Sequence, residues 1–565
     1  MTAHSHSYGV PGWAHSNVPA KVSNSRQICV CLSSVLLVCL IVGAEPINAQ
    51  VLPPPPARLT KPVQLLVREF RFEGNTAFSQ AELAKVTEPY TNRVISSEEL
   101  EDARRAVTVY YINHGYVNSG AVIPDQDPKQ GVVTIRIVEG ELSGIEVHGN
   151  KWLRDSYIRG RVRRWSTPPV NVNELQDGLQ LLRQNPNITQ INAELKPGAA
   201  PGQSLLDLRV ADQQPFRVGL QFDNERPTTV GAEEIWLLAS DLNLTGHSDP
   251  LELKYGIANR GQDGLEFSGA DNMEGSYSLP FTRFDTTLGL HASRLNTSIV
   301  EETFAPLDIT SLTTSFGVAL RQPVFQTANR EAAVSVGFDH RWNNTKLLGE
   351  PFNISPGAID GKMVVSVLRF SQEWIERGQN RVLALRSTFN WGLDVFEATD
   401  NGVPGDPNGQ FFSWLGQGQY VQRLFNTQNQ VVLRVAGQWT SEPLLALEQF
   451  SVGGLESVRG YLENQLVRDR GVVSSLEFRV PVLFNKAGAG IVSLAPFFDF
   501  GGAWNINGSP SPTTIYSTGV GLLAAPGKHM SAEIYWGYRL RHVAMPFETD
   551  AQTLGLDFRI NVSAF

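Results

Sequence analysis

The sequence predicts two copies of a small α+β domain followed by an all-β transmembrane barrel of 16 antiparallel strands. A short alternating strand that ends in Gly-Asn occurs twice, at Gly74-Asn75 and at Gly149-Asn150. From residue 216 onward, helical periodicity disappears and apolar residues alternate with polar or small ones. This alternation runs through sixteen segments of about ten residues each, which is the pattern of barrel strands.

The first 49 residues are predicted to be a secretory signal peptide. A basic flank precedes an apolar stretch (residues 28–44) that ends in small residues, as in cleavable leaders. A membrane anchor is the alternative. The three cysteines, Cys29, Cys31 and Cys39, all lie in this stretch, so the mature chain would have no disulfide and no cysteine metal site. Residues 50–62 contain four consecutive prolines and are predicted to be a stiff linker.

Composition and motifs argue against several functional classes. The chain has 47 Lys and Arg against 56 Asp and Glu, a net charge of −9, which is unfavourable for nucleic-acid binding. The ten histidines have no metal-binding spacing. The segment 521–529 resembles a phosphate loop but has one residue too many and lacks the final Ser or Thr. We therefore expect no enzymatic activity, no catalytic residue, no metal, no cofactor and no nucleotide.

The two N-terminal repeats are predicted to occupy residues 63–142 and 143–214. In the first, helices are expected at 79–85 and 97–114, the second of them capped by Ser96 or Ser97 with acidic residues in its first turn. A strand follows at 132–138. In the second repeat, helices are expected at 153–163 and 172–184, with strands at 188–195 and 205–210.

Residues 215–565 are predicted to form the barrel. In the segment 216–223, Phe216, Val218, Leu220 and Phe222 share one face and the polar residues share the other. Alternation alone also fits a secreted soluble β-protein. The leader, the even strand number and the aromatic strand ends favour a membrane barrel with lipid outside and a charged, hydrated lumen.

Two motifs stand out within the barrel region. A connection at about 441–471, between the eleventh and twelfth strands, contains FSVGGLESVRGY (residues 450–461). The thirteenth strand contains FFDFG, and strand parity directs Phe497, Asp499 and Gly501 toward the lumen. Arg459, among flexible glycines, is a candidate to fold into the pore and bind this carboxylate bidentately. The alternative is that Arg459 is a solvated loop residue.

The first motif closely resembles the loop-six signature of the Omp85 superfamily, and the second is similar to its partner motif on the inner barrel wall. The two Gly-Asn repeats look like two POTRA domains. Two such domains are typical of two-partner secretion transporters (TpsB) of the haemolysin-activator and filamentous-haemagglutinin type. The resemblance implies that Arg459 pairs with Asp499, with Glu477 and Arg479 nearby. The loop-six residues that it marks are Gly453, Gly454, Val458, Arg459, Gly460 and Tyr461.

The resemblance also implies a function. The chain would lie in the bacterial outer membrane, in contact with lipid, with its POTRA domains in the periplasm. These domains would bind one large secreted partner protein by strand addition near 132–138 or 205–210, and the barrel would export it without nucleotide hydrolysis. An insertase of outer-membrane proteins is the main alternative, ahead of a passive porin and a surface adhesin. Two departures from the family are expected: residues 50–62 are too short and proline-rich for a plug helix, and the terminal Phe565 lies off the strand parity.

Overall fold

The structure, a computed structural model, describes residues 64–259, 267–300, 305–425, 427–544 and 550–564. The predicted leader (1–49), the linker (50–62), where no plug helix is expected, and Phe565 lie outside the described residues. Within the described part of the chain, no helix has the length and apolar character needed to span a bilayer.

Each N-terminal repeat contains a three-stranded sheet and two helices. The first repeat comprises β1 (Gln64–Val67), β2 (Glu69–Glu73), α1 (Gln80–Thr87), β3 (Arg93–Ser96), α2 (Ser97–Asn113), β4 (Gly120–Val122) and β5 (Val132–Val138), with β1 and β3 paired apart from the main sheet. The second comprises β6 (Glu141–His148), α3 (Asp155–Arg163), α4 (Val172–Arg183), β7 (Ile188–Pro197) and β8 (Gln203–Asp212). Capping boxes at Ser79 with Glu82 and at Ser96 with Glu99 begin α1 and α2, because each serine and glutamate satisfy each other's backbone N–H groups.

The same turn follows the first main strand of both repeats, and it explains the Gly-Asn signature. Gly74 and Gly149 have φ of +81° and +89°, a region that glycine enters without strain. A Cβ at Gly74 would also lie 2.6 Å from the Ile137 carbonyl oxygen. The side chain of each asparagine then donates to the carbonyl three residues on, at 2.8 Å for Asn75 and 2.6 Å for Asn150.

An acidic residue at or just after the end of the central strand closes this turn in each repeat. Asp212 accepts from three consecutive backbone N–H groups, those of residues 151–153. Glu139 accepts from the backbone N–H groups of residues 76–77 and from the Tyr111 hydroxyl. Burial alone would raise the pKa of Glu139, but these hydrogen bonds to its ionised form outweigh burial and lower its pKa.

The expected sites of strand addition are wrong, because both segments are central strands. In the first repeat the strand order is β2-β5-β4, and in the second it is β6-β8-β7. Residues 205–210 belong to β8 and are paired on both sides. Residues 132–138 form β5, which pairs with β2 over residues 132–136 and with β4 over residues 136–138, and the Gln126 side chain binds the backbone N–H and carbonyl of Thr134. Each segment thus has a neighbouring strand on both sides, so neither is the edge of its sheet. Among the described residues, the edges of these sheets are β2, β4, β6 and β7.

The remainder of the chain is a closed antiparallel barrel. Its elements are β9 (Phe216–Asp223), β10 (Glu234–Asp241), β11 (Leu251–Asn259), β12 (Phe267–Pro280), β13 (Thr287–Ser298), β14 (Thr310–Gln326), β15 (Arg330–Leu347), β16 (Glu350–Pro351), β17 (Lys362–Arg377), β18 (Arg381–Gly392), β19 (Phe412–Arg423), β20 (Gln430–Thr440), β21 (Phe450–Val452), β22 (Leu466–Arg468), β23 (Arg470–Phe484), β24 (Gly490–Trp504), β25 (Thr514–Ala524), β26 (Met530–Arg539) and β27 (Leu556–Ser563). β16 is a two-residue strand paired with the end of β15, and β21 pairs with β22 as a separate hairpin. The other sixteen strands described in this region form the wall, as the alternation predicts.

The strand parity in β24 shows which face is the lumen. Phe498 and Phe500 are 48% and 36% exposed on the outer face, whereas Phe497 and Asp499 are 4% and 0% exposed. Antiparallel pairing of β27 with β9 closes the ring. The luminal side chains of β24 are therefore covered by something inside the barrel, and that cover is the connection that carries the first motif.

Candidate functional site

Loop six (residues 441–469) connects β20 to β23 and folds inward from the end of the barrel where β24 finishes. The β21–β22 hairpin forms its base, and Arg459 lies at its tip. The tip contacts Asp499, five residues before the last residue of β24, Trp504. At about 3.3 Å per residue, this places the tip roughly 16 Å along the strand from its end. The strand after the loop begins at Arg470, within the predicted connection.

The guanidinium of Arg459 is bound by two carboxylates of the wall. Nε and Nη2 donate to the two oxygens of Asp499, both at 2.8 Å, and the backbone N–H of Arg459 donates to the same carboxylate at 3.0 Å. Nη1 donates to Glu477, and Nη2 also donates to the Ser475 hydroxyl at 2.9 Å. Arg479 binds the other oxygen of Glu477. The structure thus brings together all four charged residues singled out from the sequence.

Two aromatic rings enclose the same guanidinium. Its central carbon lies 3.7 Å from the centre of the Phe497 ring and 4.5 Å from that of the Tyr535 ring. The Tyr535 hydroxyl donates to Glu477 at 3.1 Å. Arg459 is 2% exposed, so the ion pair is shielded from water. Removing one partner of such a buried pair costs about 3–5 kcal/mol, because the other charge is left uncompensated.

Gly460 binds two further strands of the wall through its backbone. Its N–H donates to Asp557 on β27 at 2.9 Å, and its carbonyl accepts from Arg539 on β26. Its φ is +86°, and a Cβ here would lie 2.6–2.8 Å from the backbone of Gly537. Two glycines therefore let loop six and β26 meet backbone to backbone.

The remaining motif residues pack the tip against the wall. Val458 and Tyr461 are fully buried with Val452 and Ile515, and the Tyr461 hydroxyl donates to a backbone carbonyl just after β26 at 2.8 Å. A Cβ at Gly501 would overlap the Val452 side chain and lie 2.7 Å from that of Val458. The glycine of the wall motif therefore provides the space that loop six fills.

Gly453 and Gly454 form the turn that leads from β21 to the tip. Their φ values are +120° and +93°, and the Ser457 hydroxyl accepts from the Gly453 N–H at 2.7 Å. A Cβ at Gly453 would overlap the Leu462 carbonyl oxygen. The role of these two glycines is therefore to shape the loop.

Several residues that sequence reasoning did not single out complete the site. They are Ser475, Tyr535, Gly537, Arg539 and Asp557. Strand parity does place Tyr535, Arg539 and Asp557 on the luminal face, so a signal was present. Parity does not say which luminal residues lie at the height of the tip, because that depends on strand stagger. Within the described part of the chain, no group of three or more His, Cys, Asp or Glu is arranged to hold a metal ion.

The second repeat joins the barrel at the short turns of the opposite end. Arg161 of α3 and Arg164 just after it bind Asp285 in the β12–β13 turn, and Arg164 also donates to Gln326 at 2.9 Å. Gln184 donates to a backbone carbonyl of the β14–β15 turn at 2.6 Å. The Asp285 side chain remains 32% exposed, so this joint is in contact with solvent.

Comparison with known proteins matches two family models. Residues 202–524 match the model described as haemolysin secretion/activation protein ShlB/FhaC/HecB, and residues 65–140 match the ShlB-type POTRA domain. The outer membrane transporter CdiB of Dickeya dadantii is 24% identical over 511 residues, covering 88% of this chain and 86% of that protein. The heme/hemopexin transporter protein HuxB of Haemophilus influenzae is 23% identical, covering 74% and 72%.

Solved structures agree in fold. CdiB from Escherichia coli superposes with a TM-score of 0.68 at 21% identity, covering 90% of this chain and 92% of that one. BamA from Haemophilus ducreyi lacking POTRA domains 1–3 gives a TM-score of 0.51 at 14% identity, covering 88% and 99%. The family model spans more than half of the chain, including β8 and most of the barrel. The chain therefore belongs to the ShlB/FhaC/HecB family, the two-partner secretion (TpsB) transporters of the Omp85 superfamily.

Proposed function

We propose that this protein exports one large partner protein from the periplasm to the cell surface. The observation that carries the proposal is a buried loop-six tip inside a closed barrel, in a chain of the two-partner secretion family. The protein would sit in the outer membrane among lipids, with both POTRA domains in the periplasm. We propose that the first domain ends at Gly140, since β6 begins at Glu141, and that the barrel begins at 215.

Export of this kind needs neither catalysis nor nucleotide. The client would pass through the lumen once the tip of loop six leaves Asp499 and Glu477, so the Arg459 contact would act as a latch with two positions. Folding of the client outside the cell would supply the direction of movement. We propose no enzymatic role and no nucleic-acid partner for any part of the chain.

The edge strand β7 is the proposed docking site for the client. Two of the four sheet edges, β7 and β4, pair antiparallel with their central strands. β7 has ten residues, whereas β4 of the first domain has three. Asn192, Ala193 and Glu194 in its middle are exposed, and β7 pairs only with β8 among the described strands. Addition of a client strand gives backbone hydrogen bonds without requiring a particular sequence, and a longer edge gives more of them.

The first experiment is quantitative proteomics of a deletion strain, with culture supernatant, cell surface and outer membrane sampled separately. Loss of one large exoprotein, with other barrels at normal levels, is the expected result and identifies the client. The BamA likeness means that the fold alone does not separate a transporter from an insertase. Depletion of many barrels at once would favour the insertase and overturn the export proposal.

The docking strand is tested with single cysteines, because the predicted mature chain has none. Asn192→Cys on β7 should form disulfides with cysteines placed along the client identified above. Arg209→Cys is the matched control, since Arg209 is the exposed register partner of Asn192 on the central strand. The same pair in the first domain is Val122→Cys on β4 and Arg136→Cys on β5. Cross-linking of the client to Val122→Cys alone would show that the client docks on β4 of the first domain and not on β7.

A further inference from the structure

Loop six is attached to the wall a second time, far from its tip. Glu448 lies in the stem of the loop, before β21, and its side chain is 7% exposed. Arg369 on β17 donates to both of its carboxylate oxygens, at 2.9 and 3.2 Å. Arg341 on β15 donates to the Leu447 carbonyl at 2.6 Å and lies 3.7 Å from Glu448. We call Glu448 with Arg341 and Arg369 the stem clamp.

The wall around the stem clamp is built to hold it. Arg369 also binds Asp339 on β15 and donates to Asn390 on β18 at 2.8 Å, so its guanidinium is fixed in place by the wall itself. Buried leucines of the stem pack beside the clamp against apolar luminal residues of β17. The leucines are Leu444, Leu445 and Leu447, and the β17 residues are Met363, Val365 and Val367. Because this packing excludes water, the hydrogen bonds of the clamp are stronger than they would be in solvent.

The stem clamp and the Gly460 contacts of the tip lie on opposite sides of the pore. Counted around the sixteen-strand wall, β15 and β17 are the seventh and eighth strands, and β26 and β27 are the fifteenth and sixteenth. In a closed ring of sixteen, these pairs are half a turn apart. The stem clamp is on the first pair, and the Gly460 contacts with Arg539 and Asp557 are on the second. Loop six therefore crosses the lumen and is held at both ends.

We propose that the stem clamp is a second latch, and that the pore opens fully only when both ends of loop six are released. This inference deepens the proposed export function and rests on it for its biological meaning. Release of the tip alone would leave the leucine-packed stem across part of the lumen. Release of the stem alone would leave the tip bound to Asp499 and Asp557. Full opening therefore requires two separate contacts to break.

The test is single-channel conductance of the full chain in planar lipid bilayers, with no client present. Glu448→Gln removes the charge of the stem clamp and keeps its shape, and Arg459→Lys weakens the tip. We expect each change to raise the fully open fraction roughly tenfold, the scale of one lost charged hydrogen bond. The double variant should raise it by about the product of the single effects. Glu373→Gln is the matched control, a luminal carboxylate of the same strand as Arg369 that pairs with Arg321.

Two results would overturn the proposal: Glu448→Gln behaving like the wild type, or the double variant behaving like Arg459→Lys alone. Heat-modifiable migration on gels shows whether each barrel is folded. If Glu448→Gln does not fold, Glu448→Asp decides, because it keeps the charge but shortens its reach and should give a smaller increase in the same direction. The conductance measurement needs no client. If the variants conduct like the wild type, only the second latch is overturned. If the deletion strain still secretes its exoproteins, only the export proposal is overturned.

Discussion

The tip of loop six and the joint between the second POTRA domain and the barrel are both arginine–carboxylate contacts, but their surroundings differ. At the tip, Asp499 is fully buried and binds both the guanidinium and the backbone of Arg459. At the joint, Asp285 is shared by Arg161 and Arg164 and stays 32% exposed. Water and salt reach the joint and do not reach the tip. A buried contact changes only when the whole loop moves, whereas an exposed one responds gradually to its solvent.

The largest effect is expected from removing the charge at the tip. Asp499→Asn leaves the Arg459 guanidinium with Glu477 alone, at a cost of about 3–5 kcal/mol for an uncompensated buried charge. Because the proposed latch needs both of its positions, a tip that no longer returns to Asp499 should lower secretion of the client, measured by immunoblot of the supernatant, at least tenfold while the barrel stays folded. Exchanging the two charges should restore little, because a carboxylate at position 459 would face Glu477. Normal secretion by Asp499→Asn would show that the buried pair is not needed.

A slightly smaller effect is expected where the tip meets β26. Gly460→Ala places a Cβ within 2.6–2.8 Å of the Gly537 backbone, which cannot rotate away. Gly488→Ala is the matched control, since Gly488 has a φ of +78° and open space around it. Both variants strain the backbone, so any greater loss of secretion in Gly460→Ala measures the close approach itself. Equal losses would mean that the left-handed conformation, and not the contact, matters.

At the joint, a smaller effect that depends on salt is expected, because the Asp285 side chain is 32% exposed although those of Arg161 and Arg164 are only 10% and 18% exposed. Asp285→Asn should increase hydrogen exchange in α3, measured by mass spectrometry of the full chain. Raising the ionic strength toward about 1 M should do the same to the wild type, because the Debye length falls to about 3 Å. Exchange at the tip of loop six should not change. A salt response at the tip would contradict the difference in burial described above.

The smallest effect is expected in the first POTRA domain and depends on pH. The pKa of Glu139 is lowered in the folded protein, so its ionised form stabilises the fold above the ordinary glutamate pKa of 4.5. That contribution disappears as the pH falls from this value through the lowered pKa. Glu139→Gln should increase hydrogen exchange in residues 64–114 at neutral pH and match the wild type in acid. If the variant and the wild type still differ in hydrogen exchange in acid, the effect comes from the altered shape of the side chain and not from its charge.

The fold is largely predictable from the sequence because both of its repeating patterns are local. The Gly-Asn turns and capping serines mark the POTRA domains, and strand parity marks the barrel. The short strands β1, β3 and β4 were not predicted, since three or four residues are too few to show alternation. The order of strands within each sheet depends on pairing between distant segments, which local patterns do not contain, and for this reason the expectation of strand addition at β5 and β8 is wrong.

At the site, Arg459 and Asp499 follow from two motifs, but their neighbours do not. Asp557 lies 58 positions along the chain from Asp499 and reaches the tip because β24 to β27 are successive neighbours in the curved wall. Glu448 lies in a loop with no periodicity, and its partners are on strands half a ring away from the Gly460 contacts. Contacts of this kind depend on strand stagger and ring closure, which local patterns do not contain.

The close backbone approach of Gly460 and Gly537 affects how fast the tip of loop six can dock again after it is released. Both surfaces at this point are backbone, so docking there requires no side chain to choose a rotamer. At the crossing itself the loop can therefore return without a search among side-chain conformations, and the side chains that have to re-form their contacts are Arg459, Arg539 and Asp557. We therefore expect the tip to re-engage quickly after a client has passed, which would keep the time during which the outer membrane is unsealed short.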